Sequence, residues 1–286
     1  MSEATSTLLS YGGKLTREQL ALVPTPPGTA THRPVPHAEV IDALIETLGF
    51  RHIAVVQHEA DCPPALFGEW LTDAGAELEI CHAYAGEDLP DPATYDALVV
   101  LGGAMGANDD ADSPWLAPVR ERIRTHAADG VPVLGICLGH QLAAVALGGV
   151  VETNSRGQTF GLRTLGWTPD AHLDPLMSTV ATPRRGVHWH DDVVTDVPEG
   201  TVVLAQAEGV EVQAARFAPT VWGVQHHPEV EADLIRPWAV ADRELHLAQG
   251  LDTEAVLAEI DAARDELEAA WRPLAARFVE LTDQHH

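Results

Sequence analysis

The stretch GICLGHQLAA at residues 135–144 sets Cys137 between Gly135 and Gly139, straight after an apolar run and straight before residues of helical character. A strand-to-helix turn this tight forces its central residue into a strained backbone conformation, and the flanking glycines remove side chains that would clash. Such a turn holds a sulfur above the end of a sheet. The helix that follows, expected to begin near His140, points its positive N-terminal end at that sulfur and favours the thiolate. A nucleophilic thiolate needs a base, and the base needs a group to orient it. VWGVQHHPEV at 221–230 offers both. One residue of extended chain separates His227 from Glu229, so their side chains fall on the same side of the backbone. Glu229 can then hold one nitrogen of the His227 ring while the other faces Cys137, and Pro228 stiffens the link. Taken singly, Gly-x-Cys-x-Gly fits a small buried cysteine beside packing glycines equally well, and His-Pro-Glu fits a surface turn.

The elements that must position these residues are legible from residue 53 onward. IAVVQ reads as a buried strand, ALFGEWLTDAG as a helix ending at Gly75, ELEIC as a second strand and ALVVLGG as a third. WLAPVRERIRTHAADG reads as a helix, and PVLGI as a strand running into Cys137. β-Branched strands alternating with amphipathic helices predict an α/β fold with a mostly parallel sheet flanked by helices. Chemistry in such sheets gathers at the carboxyl ends of strands, where both Leu101-Gly102-Gly103 and Cys137 fall. Past Gly149 the pattern is more β-like, with VVLAQ, VEVQAARF and VWGVQ. TEAVLAEIDAARDELEAAW, residues 253–271, predicts a long helix capped by Asp252 or Thr253, and Pro273 is expected to end or kink it. Its acidic face reads as solvated surface.

Residues 1–50 differ in character. They hold a Ser/Thr/Gly-rich start, a short helical pattern at 15–23, the proline-punctuated PTPPGTATHRPVPH, and helical spacing at Val40, Ile41, Leu44, Ile45 and Leu48. The expected organisation is an N-terminal extension or linker over 1–50, a main domain over 51–240 and a C-terminal helical segment over 241–286.

The chain has 286 residues, 17 Lys+Arg against 43 Asp+Glu, and a formal net charge of −26. Such a surface repels phosphate backbones and anionic lipid, so neither nucleic acid nor membrane is expected as a partner. Three cysteines, Cys62, Cys81 and Cys137, are too sparse for a disulfide framework. The N-terminus lacks a signal pattern and no apolar run reaches the roughly 18 residues of a membrane span, which reads as cytoplasmic.

Taken together, GICLGHQ and VQHHPE, with His227 90 residues after Cys137, resemble the class I glutamine amidotransferases of the Cys-His-Glu type. The resemblance covers about residues 53–240 and is nearest the stand-alone, GMP-synthase-like branch, on HWHDD at 188–192 and GVQHHPE. It implies a flavodoxin-like domain. It also implies Cys137 as nucleophile, His227 as base and general acid, and Glu229 as orienter. Gly103 falls at the family's oxyanion loop, where its N–H joins that of Leu138. Gln141 matches the glutamine-binding residue four after the nucleophile. Trp189 and His190 align with the loop that grips the substrate's α-amino and carboxylate groups. The implied reaction releases ammonia and glutamate from glutamine through a glutamyl thioester, without a cofactor. Departures are Ala104 for the usual proline, Thr159 where an acidic residue often precedes Phe160-Gly161, and His226 for a common aromatic.

Rival readings are weaker. His188, His190, His226 and His227 with Asp191 and Asp192 invite a metal, but His190 and His227 already have roles in the family pattern, so none is expected. In an α/β-hydrolase the acid precedes the histidine in the chain, whereas Glu229 follows His227. The chain has no P-loop, so an ATP-driven amination needs a partner synthetase. The alternatives are hydrolysis of a γ-glutamyl metabolite, or a catalytically silent regulator or scaffold, which an intact triad disfavours.

Overall fold

The computed structural model describes residues 51–182, 184–207 and 211–282. The helical patterns expected at 15–23 and 40–48 lie outside these residues. The first half of the described chain runs Arg51–Gln57 (β1), Ala65–Asp73 (α1), Ala76–His82 (β2), Ala97–Val100 (β3), Leu116–Asp129 (α2), Val133–Ile136 (β4) and Leu138–Ala146 (α3). Strands Val150–Thr153 (β5), Thr159–Thr164 (β6), Gly166–Trp167 (β7), Arg185–His190 (β8), Asp192–Asp196 (β9), Val202–Gln206 (β10), Val212–Ala218 (β11) and Val221–Val224 (β12) follow. Helices Ala232–Ala241 (α4), Arg243–Ala248 (α5), Thr253–Ala262 (α6) and Arg264–Thr282 (α7) close the described chain.

Among the described residues eight strands form one sheet in the order β2-β1-β3-β4-β12-β11-β10-β7. The first five in that order are parallel, and β11, β10 and β7 add an antiparallel edge. The fold is the expected α/β arrangement. Every residue of β3, β4 and β12 is buried, as a parallel sheet covered on both faces requires. Alternation along β1 feeds two cores: Ile53 and Val55 join Phe67, Trp222 and Trp271 on one face, while Ala54 and Val56 join Leu98, Ile123 and Leu142 on the other. Because β3, β4 and β12 are parallel neighbours, the segments leaving their carboxyl ends emerge side by side. Two short antiparallel ribbons, β5-β9 and β6-β8, stand beside this edge. The N–H of His227 donates to the Val187 carbonyl at 2.7 Å and ties β8 to the segment after β12.

Two sequence expectations shift. Helix α3 begins at Leu138 rather than near His140, so Cys137 itself is the N-cap residue. The C-terminal helix breaks at Ala263, not at Pro273, which lies inside α7. Packing overrides the proline here. Trp271, Leu274, Ala275 and Phe278 on both sides of it are fully buried, the Trp271 indole N–H donates to the Arg185 carbonyl at 3.0 Å, and the Arg184 guanidinium donates to the Ala270 carbonyl. The apolar face of α7 is therefore core, and only its acidic face meets solvent.

Gly139 is where α3 touches the sheet. Its N–H donates to Leu101 C=O at 3.1 Å, and a Cβ there would stand 2.0 Å from the Val100 carbonyl oxygen. Gly139→Ala is therefore expected to cost about 3 kcal/mol or more. Thermal unfolding should show a fall in Tm of roughly 6–12 °C, and an unchanged Tm would contradict the close contact.

Candidate active site

Cys137 has φ 50° and ψ −105°, one of two described non-glycine residues with positive φ, Ala65 being the other. A backbone of this kind costs on the order of 1–3 kcal/mol and persists only where its surroundings enforce it. Those surroundings are visible. The Cys137 N–H donates to Val224 C=O at 2.9 Å, and its carbonyl accepts from the Gln141 N–H at 3.2 Å. A Cβ on Gly135 would lie 2.3 Å from the Gly139 carbonyl oxygen, so only glycine lets the strand turn back beneath its own helix. The turn therefore sets the cysteine at the positive end of the nine-residue α3.

His227 meets this cysteine from β12's side. Its Nδ1 lies 2.7 Å from Glu229 Oε1, and its ring is in hydrogen-bonding contact with Cys137. All three residues are at most 5% exposed. The Glu229 backbone carbonyl also accepts from the Leu66 N–H at 3.2 Å, anchoring the acid to the start of α1. Glu229 Oε2 has no donor among the described residues, so the neighbouring imidazole is the group that balances its charge. Burial alone would push the His227 pKa down. Charge on Cys137 and Glu229 outweighs that, helped by hydrogen bonds to both, and holds it well above the ordinary histidine value. The surroundings therefore favour the imidazolium form.

The loop after β3 covers the pair. A Cβ on Gly102 would lie 3.0 Å from His227 Cε1 and 3.6 Å from Cys137 Cβ, and one on Gly103 would lie 3.1 Å from Leu138 Cδ2. Gly103, Gln141, Trp189 and His190 all line one cavity of about 830 Å³ with Cys137 and His227. Leu138 and Glu229 do not line it. Leu138 is the first residue of α3, next to Cys137, and Glu229 stands behind His227. Gln141 is buried, its Nε2 donating to the Asp192 carbonyl at 2.9 Å and to Gln225 Oε1 at 3.4 Å. The Trp189 indole N–H donates to Asp242 Oδ2 at 2.7 Å, which also accepts from Gln158 Nε2 at 2.9 Å.

Several contributors have no role in the sequence reading. Gln225 donates through Nε2 to Cys137 Sγ at 3.7 Å. Its position two before His227 on an extended chain was the available signal, since i and i+2 share a face. Trp238 from α4 packs against His227 with ring centroids 5.0 Å apart and planes tilted by 50°, and Asp242 follows α4. His58 lies after β1, neutral because burial lowers its pKa to about 4, and its Nδ1 accepts from Trp115 Nε1–H at 3.1 Å. His226 turns away from the cavity and packs on Trp271, centroids 4.1 Å apart. The six metal-suggesting residues do not converge as a set. His188 and His190 instead meet Glu211, while Glu59, Asp61 and Cys62 form a second group at the cavity.

Residues 69–241 match the family described as "Glutamine amidotransferase class-I". The chain belongs to the class-I glutamine amidotransferases. A glutamine amidotransferase-like protein of Gibberella zeae is 30% identical over 193 residues, 66% of this chain and 76% of its own length. Gamma-glutamyl peptidase 5 of Arabidopsis thaliana is 28% identical, over 64% and 72%. A glutamine-hydrolyzing GMP synthase subunit from Saccharolobus solfataricus is 29% identical, over 55% and 78%. A glutamine amidotransferase crystal structure from Methylobacillus flagellatus superposes with a TM-score of 0.71 at 26% identity, covering 81% of this chain and 95% of that one. No described helix is long and apolar enough to cross a membrane.

The raised His227 pKa has a direct readout. Histidine-selective NMR at pH 7.5 should show His227 as imidazolium, above the ordinary midpoint of about 6.5. Cys137→Ser and Glu229→Gln each remove a negative neighbour and should lower that pKa. A neutral His227 ring at pH 7.5 in the unsubstituted protein would contradict the electrostatic reading.

Proposed function

We propose that this chain is a cysteine-dependent amidohydrolase that cleaves the γ-amide of glutamine through a glutamyl thioester on Cys137. The observation that carries the proposal is the convergence of a strained N-cap cysteine and a histidine at the wall of one cavity, with a buried glutamate bonded to that histidine from behind. Cys137 Sγ attacks the γ-carbonyl carbon. The oxyanion is held by the backbone N–H groups of Gly103 and Leu138, preorganised by the glycine loop and by the start of α3. The His227 imidazolium gives its proton to the departing nitrogen, so ammonia leaves and the thioester remains. Neutral His227 then takes a proton from water as it attacks the thioester, and glutamate departs with the Cys137 thiolate restored. Glu229 fixes the ring and balances its charge throughout. Gln141 and the backbone at Trp189 and His190 grip the amino-acid end of the substrate.

A second reading has its own support. A cavity of about 830 Å³ is at the large end of the range for small-molecule sites and holds more than one glutamine. A γ-glutamyl peptide or amide uses the same chemistry, with an amine in place of ammonia. Partner-coupled hydrolysis for a synthetase is favoured instead if the isolated chain is slow on every small substrate. Both readings need a glutamyl group and neither needs nucleic acid, a membrane or a cofactor.

Steady-state kinetics on glutamine and a small γ-glutamyl panel should give slow hydrolysis of free glutamine by the isolated protein, and a larger rate either on a γ-glutamyl amide or peptide or on addition of a synthetase. Cys137→Ser and His227→Ala should each lower kcat on the better substrate by about 10⁴-fold or more. Glu229→Gln should cost less by roughly two orders of magnitude, because nucleophile and base remain in place. Full activity of His227→Ala would remove the base from this mechanism.

A further inference from the structure

Three buried side chains beside the cavity present lone pairs to one another with too few protons between them. His188 and His190 are two apart in β8 and share a face, with His188 Nδ1 3.2 Å from His190 Nε2. His190 Nδ1 lies 3.1 Å from the Asp192 carbonyl oxygen, which can only accept, so Nδ1 carries the proton of the neutral ring. His190 Nε2 therefore offers a single lone pair. It faces two groups, His188 Nδ1 and, at 3.4 Å, Glu211 Oε1. Hydrogen bonding can satisfy one of these contacts at most. Oε1 of Glu211 has no hydrogen-bond donor among the described residues, and neither has Nε2 of His188 a partner. His188 is fully buried, and His190 and Glu211 are each 6% exposed. Leaving such atoms unpaired in the interior costs about 1–3 kcal/mol each.

We propose that His188, His190 and Glu211 form a divalent-metal site of the zinc class beside the substrate cavity. The ligand atoms lie within 4.8 Å of one another. Bonds of about 2.0–2.1 Å in tetrahedral array put neighbouring ligand atoms about 3.3–3.4 Å apart, close to the 3.2 and 3.4 Å seen. Two neutral imidazoles and one carboxylate suit zinc better than calcium or magnesium, which prefer oxygen alone. An outer layer is present too. The Asp192 carbonyl fixes the His190 ring, and Glu211 Oε2 accepts from Thr159 Oγ1 at 3.4 Å with Arg156 at 3.7 Å, which turns Oε1 inward. Of the three residues His190 lines the cavity, which gives the ion a route in. The ion would tie β8, which carries Trp189 and His190, to the residue preceding β11. Its role is to hold the substrate-gripping strand; the proposed thioester chemistry proceeds without it, so the two proposals stand or fall separately.

The test uses the untagged full-length Cys137→Ser protein, which removes a thiolate able to take metal itself. Titration with Zn²⁺, read by calorimetry and by metal content after gel filtration, should give one ion per chain. His188→Gln and Glu211→Gln should each weaken binding at least about tenfold, while Cys62→Ser should not. Co²⁺ should give the visible absorption of a tetrahedral N/O site in the parent and not in those two variants. If His188→Gln does not fold, Glu211→Gln decides alone, with its thermal unfolding as the check on integrity. Absence of stoichiometric Zn²⁺ in the parent overturns the site. Binding undiminished in Glu211→Gln, or abolished by Cys62→Ser, overturns it equally.

Discussion

The imidazole of His227 lies between a sulfur and a carboxylate, almost wholly buried at the cavity wall, and its charge is what lets Cys137 and Glu229 share one corner. Two like charges there without a cation between them would be costly, since the interior screens them poorly. Much of the described architecture serves that arrangement. The parallel run β3-β4-β12 delivers the glycine loop, the cysteine and the histidine to adjacent strand ends. Gly135 and Gly139 permit the turn that exposes sulfur to the N-terminus of α3, and Val187 holds the His227 backbone from the other side. Trp238 covers the ring from α4.

How much of this could be read from residue order depends on how local the signal is. Strands β1, β3, β4 and β12 are continuous apolar runs, and the turn at Cys137 is written in its glycines, so the sheet and the cysteine's place were legible. The His227–Glu229 pairing was legible for the same reason, as an i, i+2 relation on extended chain. Gln225 carried the same signal, but nothing in its type demanded a role. Asp242 and Trp238 were hidden because they come from a helix whose approach to the cavity is decided by tertiary packing.

The helical tail shows the opposite failure. Pro273 is a strong local breaker, yet the burial of Trp271, Leu274 and Phe278 and the donor from Arg184 keep α7 whole around it. The break falls instead at Ala263, which no residue type announces. Glu211 is a similar case. Its neighbours in sequence suggest only a strand, while its partners His188 and His190 lie about 20 residues earlier, across a ribbon whose pairing the sequence does not specify.

The central claim is that the fold singles out one thiol. Cys62 also lines the cavity, but burial raises its pKa first and the charges of Glu59 and Asp61 raise it further. Cys81 is likewise raised, mainly by burial. Neither is the N-cap residue of a helix, as Cys137 is. The most direct measurement is inactivation by a glutamine-mimicking electrophile at neutral pH, followed by peptide mapping of the adduct. The account predicts a single adduct on Cys137 whose formation tracks the loss of activity. An adduct confined to Cys62 or Cys81, with activity lost in step, would contradict it.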